Sequence, residues 1–111
     1  MASTVLVIGL DPELLDQIQV RHGTHIVTAP DFKSALSVLQ TTDISAVLID
    51  SRSSSQLRDD INMLLADTPV TTSINLIIHP SDIVSPEMYS ALGVKTLHSP
   101  VSVDTLNKVL A

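Results

Sequence analysis

Asp50 and His79 each stand directly after a short apolar run, Ser45-Ala-Val-Leu-Ile49 and Ile74-Asn-Leu-Ile-Ile78, where a strand gives way to a loop. A carboxylate in that position can ligate a cation or attack phosphorus, and an imidazole can hold a proton or a metal. Two arrangements of His79 are open. It can touch Asp50, where an imidazolium would stabilise the carboxylate, or it can face solvent in the loop before Pro80. The solvent-facing arrangement is the expectation. Asp11 precedes Pro12, and this pair reads first as a helix N-cap followed by a first-turn proline, with metal ligation a distant second. His22 and His25 straddle a turn without further ligands and are not read as a metal site. His98 falls on an expected edge strand and is read as solvated. The run Ser51-Arg-Ser-Ser-Ser55 is read as a loop. The chain has no cysteine, which excludes disulfides, thiolate zinc sites and cysteine nucleophiles. It also has no glycine-rich phosphate loop.

The elements that must position these residues alternate. Thr4–Ile8, His25–Thr28, Ser45–Ile49, Ile74–Ile78 and Lys95–His98 read as strands. Between them lie helical patterns. Leu14, Leu15 and Ile18 form one buried stripe before Gly23. Phe32, Ala35, Leu36 and Leu39 form a second, and Leu57, Ile61, Leu64 and Leu65 a third. A fourth helix opens at Ser85-Pro86, turns Met88, Ala91 and Leu92 inward, and ends at Gly93. A last one opens at Ser102 with Val103, Leu106 and Leu110 inward. Met63 and Met88 are read as helix packing.

The pattern is α/β, a flavodoxin-like (βα)5 doubly wound parallel sheet spanning residues 1–111 as a single domain. The first, third and fourth strands are the most apolar. The second and fifth carry His, Thr and Lys, so the order 2-1-3-4-5 is expected, with the polar strands at or near the edges. That order brings Gly9–Asp11, Asp50, His79 and Ser99-Pro100 to one end of the sheet.

Composition narrows the partners. Hydrophobic residues make up 44% and charged residues 16%, which excludes a disordered chain. The formal charge of −6, with scattered basic residues, one Phe, one Tyr and no Trp, argues against direct nucleic-acid binding. No apolar run approaches the roughly 20 residues a membrane helix needs. A cytoplasmic protein is expected, with no nucleic-acid and no membrane partner.

Along essentially its whole length the chain resembles the receiver (CheY-like) domain of two-component response regulators. The resemblance is carried by Val5-Leu-Val-Ile8 before Asp11-Pro12-Glu13-Leu14-Leu15, by His25-Ile-Val-Thr-Ala29 before Ser34-Ala35-Leu36, and by Ala46-Val-Leu-Ile-Asp50. Ala91-Leu-Gly-Val94 before Ser99-Pro100 completes it. The resemblance implies that Asp50 holds the position of the phospho-accepting aspartate. Working receivers add two acids after the first strand to hold Mg2+, a Thr or Ser after the fourth, and a Lys before the proline of the fifth. Here those positions read Gly9-Leu10, His79 and Ser99. The chain therefore looks like a degenerate receiver, or pseudo-receiver, in which His79 in contact with Asp50 would be a pH-sensitive replacement for the lost metal or lysine.

The expected function is a non-catalytic signalling module, not an enzyme, acting through protein–protein contacts independently of phosphorylation. No cofactor is expected. Its partner would be a signalling protein, a neighbouring domain or a second copy. The alternative is a receiver that accepts phosphoryl at Asp50 from a histidine kinase, with Mg2+ as cofactor. By resemblance, the fourth helix, fifth strand and fifth helix supply an interaction face with Tyr89, Leu97 and Val101 as candidates, Tyr89 being expected at the surface.

Overall fold

A computed structural model describes residues 3–9, 24–53, 56–68, 72–79 and 86–98. Its strands are β1 (Ser3–Ile8), β2 (Thr24–Ala29), β3 (Ala46–Asp50), β4 (Ser73–Ile78) and β5 (Lys95–His98). Its α-helices are α1 (Phe32–Thr41), α2 (Leu57–Asp67) and α3 (Pro86–Ala91), and a single 3₁₀ turn, Ser51–Ser53, follows β3. The helices expected from Asp11 and from Ser102 lie outside the described residues.

The strands form one parallel sheet in the order β2-β1-β3-β4-β5, as the polarity of the runs requires. The central strands are apolar at consecutive positions because both faces are covered. Leu6, Ile8, Val47, Ile49, Ile74, Leu76 and Ile78 pack on one face with Phe32 and Ala35 of α1, Leu57, Ile61 and Leu64 of α2, and Tyr89 of α3. Val5, Val7, Ala46, Leu48 and Ile77 form a separate cluster, with Ile26 and Leu97 against it. The alternation of strand side chains between faces produces this division. Asn75 is also fully buried. Its Nδ2 donates to the Val47 carbonyl and to Ser73 Oγ, both at 3.3 Å, while its Oδ1 has no hydrogen-bond partner.

Local chemistry sets the element ends. Asp31 caps α1 from an extended backbone, its Oδ1 accepting the Ser34 N–H at 2.9 Å. That bond, then a second from the Ser34 side chain, holds the Asp31 carboxyl below its ordinary range, with Lys33 adding to the effect. At the other end of the sheet from Asp50, Ser45 Oγ donates to the Thr4 carbonyl and Thr72 Oγ1 to the Ile44 carbonyl, each at 3.0 Å, tying the strand entries together.

The helix α3 departs from the expected facing. Tyr89, not Ala91 or Leu92, turns inward: Tyr89 is 2% exposed, whereas Ala91 is exposed and Leu92 is 40% exposed. The cause is the helix end. Val94 N–H reaches back to the Tyr89 carbonyl and Gly93 N–H to the Ser90 carbonyl, both at 3.0 Å, with Gly93 at φ 85°. This six-to-one and five-to-two pairing needs a left-handed residue at Gly93 and draws Val94 and Tyr89 into the same cluster. Tyr89 is therefore a core residue and not the exposed contact expected. Burial pushes its phenol above the ordinary value, with Arg58 partly opposing. Met63, expected to pack, is 55% exposed because it lies off the Leu57, Ile61, Leu64 stripe.

Candidate functional site

Asp50 ends β3 and is 8% exposed. The chain turns immediately into the Ser51–Ser53 3₁₀ turn, and Asp50 Oδ1 accepts the Arg52 N–H at 2.8 Å. The aspartate thus organises its own turn, using a side-chain acceptor two residues before the donor. Sequence reading overlooked this bond, although an Asp at the start of a polar serine-rich turn is its usual signal.

In the neighbouring strand the last pair of the ladder is Asp50 with Ile77, so His79 lies two residues further on, roughly 7 Å along the strand direction. Its imidazole spans that step. Nε2 stands 2.9 Å from Asp50 Oδ1 and 3.0 Å from Oδ2. The solvent-facing loop histidine expected from the sequence is therefore corrected: His79 makes the contact. The direction of a side chain at a strand end depends on backbone geometry that residue types do not encode. Here it sends the imidazole back to the nearest buried acid.

Nε2–H donates to both oxygens when the ring is neutral, and the pair becomes an ion pair when the ring is charged. With the two side chains 15% and 11% exposed, the charge-assisted contact is shielded from most of the solvent.

The end of β1 faces the same region. Its last pairing with β3 joins Ile8 to Ile49, which puts Gly9 level with Asp50. Gly9 is exposed, has φ 67°, and donates its N–H to the Ala29 carbonyl at 3.1 Å. A residue with a side chain is disfavoured in that left-handed backbone, so the position expected of the first metal-holding acid is built for glycine.

Leu10, Asp11, Ser99, Pro100 and Val101 lie outside the described residues. Leu97 is half-buried against the Val5 and Leu48 cluster. His25 and His98 are exposed. Among the described residues no three His, Asp or Glu side chains gather as a metal-holding group. The Mg2+ implied by the receiver resemblance does not fit the described end of the sheet. Mg2+ needs oxygens at about 2.0–2.1 Å. Here Asp50 is engaged by an imidazole and a backbone amide, and Gly9 offers no carboxylate.

No family model and no curated protein matches the chain. Solved structures do. An adenylate cyclase from Rhodopirellula baltica is similar at 16% identity with a TM-score of 0.82, over 99% of this chain and 85% of that one. A response regulator from Thermotoga maritima is similar at 16% identity with a TM-score of 0.76, over 97% and 93%. The pilus assembly protein CpaE from Caulobacter crescentus CB15 is similar at 15% identity with a TM-score of 0.75, over 96% and 89%. At these identities the likeness shows the fold, and the fold is the flavodoxin-like receiver fold.

Proposed function

We propose that this chain is a non-catalytic signalling module, a degenerate receiver that works through protein–protein contacts without phosphoryl transfer. The observation that carries the reading is the state of Asp50. Its carboxylate is held by His79 Nε2 at 2.9 and 3.0 Å and by the Arg52 N–H, and the level position on β1 is a left-handed glycine. A carboxylate attacks phosphorus only when the charge of the transferring group is neutralised by cations placed around it. The contact with His79 places an imidazole nitrogen against the nucleophile instead. The similar structures carry three different descriptions, so the fold by itself selects no activity.

The partner in this reading is another signalling protein, a neighbouring domain or a second copy, and the setting is the cytoplasm. With a net charge of −6, neither nucleic acid nor an anionic membrane surface is the expected partner. The second reading, a phosphorylatable receiver, is favoured by one observation: Asp50 keeps its buried place at the carboxyl end of β3. Incubation with acetyl phosphate and Mg2+, read by intact mass, separates the two. An unchanged mass is expected. A phosphoryl adduct lost in Asp50→Asn would establish the second reading.

A further inference from the structure

Outside the Asp50–His79 pair, the described buried polar groups serve the fold. Asn75 lies inside the sheet between strands, and Thr72 closes a strand entry. Among the described residues the large exposed apolar side chains, Met63 and Leu92, stand on α2 and just beyond α3, with nothing to say what covers them.

We propose that His79 is the residue that determines what Asp50 can bind, acting as an internal occupant of the carboxylate that keeps divalent cations and phosphoryl groups away. This rests on the reading above that Asp50 is not a phosphoryl acceptor in the unsubstituted chain. A carboxylate offers about four lone-pair directions. Oδ1 already accepts two N–H groups, from Arg52 at 2.8 Å and from His79 at 2.9 Å, and Oδ2 accepts from His79 at 3.0 Å. The imidazole edge straddles both oxygens, the side from which a cation would chelate the carboxylate. A divalent cation at coordination distance on that side would overlap the ring nitrogen. When the ring is charged it also repels the cation directly.

Gly9 makes the replacement self-consistent. A site for a divalent cation gathers acids from neighbouring strands to balance its charge. Beside Asp50 the β1 level is a glycine at φ 67°, which itself offers no carboxylate. Among the described residues the carboxylate is instead matched by one imidazole, supplied by the residue that follows β4. His79 is in this sense a specificity-determining residue, and its removal uncovers the carboxylate.

The test uses the full chain, isotope-labelled, with Mn2+ as a paramagnetic probe of cation binding. In His79→Thr the amides of Asp50, Ser51 and Arg52 are expected to broaden at about tenfold lower Mn2+ than in the unsubstituted protein. That gain is expected to vanish in His79→Thr combined with Asp50→Asn. His79→Ala, which also empties that side of the carboxylate, carries the same expectation if the threonine variant does not fold. Equal Mn2+ dependence with and without His79, or a gain that survives Asp50→Asn, overturns the role assigned to His79. The two readings fail separately. A phosphoryl adduct on the unsubstituted protein overturns the functional reading, whereas no adduct together with no Mn2+ gain in the variants overturns only this one.

Discussion

Breaking the contact between Asp50 and His79 should cost more than removing two independent surface groups, and a double-mutant cycle measures the excess. At 4 Å and an effective dielectric of about 20, two unit charges attract by about 4 kcal/mol. Desolvation of both groups offsets much of that, because the side chains keep only 15% and 11% of their exposure. A hydrogen bond to a charged group contributes about 1.5–3 kcal/mol net. The geometry here is short and doubled, at 2.9 and 3.0 Å, so a coupling of about 2 kcal/mol is expected between Asp50→Asn and His79→Gln. His79→Gln alone should lower Tm by about 8–16 °C, since 1 kcal/mol shifts a domain of this size by about 4–8 °C. Asp50→Asn combined with it should add less than its separate cost. The assay is urea unfolding of the four proteins at pH 6, followed by circular dichroism. The excess should persist at high salt, because a shielded pair is screened less than an exposed one. A coupling below about 0.5 kcal/mol, the ordinary scatter of additivity, would refute the reasoning.

Three further outcomes follow from the fold. Gly93→Ala should destabilise by about 1–2 kcal/mol through backbone strain alone, because φ is 85° and no atom lies within 4 Å of the added Cβ; an unchanged urea midpoint would contradict the helix-end geometry. Asn75→Val should fall within about 1 kcal/mol of neutral, since it removes a buried Oδ1 without a partner together with two long Nδ2 hydrogen bonds, to the Val47 carbonyl and Ser73 Oγ. A loss above about 2 kcal/mol would show that the amide is needed. The carboxyl of Asp31 is held low in the folded protein, so its contribution is present above the unfolded value of 3.8 and is lost as pH falls through the folded value. The stability difference between the unsubstituted protein and Asp31→Ala should therefore narrow on acidification below that value, as read by urea unfolding across acid pH; a pH-independent difference would contradict the cap.

The sheet was legible because its signal is coarse. Apolar runs such as Val5–Ile8 and Ala46–Ile49 mark strands covered on both faces, and the polar character of His25 and Lys95 marks the edges. Which side chains pair depends on finer geometry. Tyr89 was misread because α3 is a single turn and a half, too short for periodicity to define a face, and the Gly93 turn decides which residue is drawn inward. His79 was misread because nothing in residue type says which way a strand-end side chain turns. Gly9 was legible in type but not in consequence. Only the ladder shows it level with Asp50, and only its φ shows why glycine stands there.

The most direct test of a receiver fold without its switch chemistry is an amide NMR titration of the unsubstituted protein with Mg2+ and then beryllofluoride, a phosphoryl mimic. A spectrum in which Asp50, Ser51 and His79 do not move is the expected result. Shifts clustered at those residues and abolished by Asp50→Asn would contradict it and identify a working phosphorylation switch.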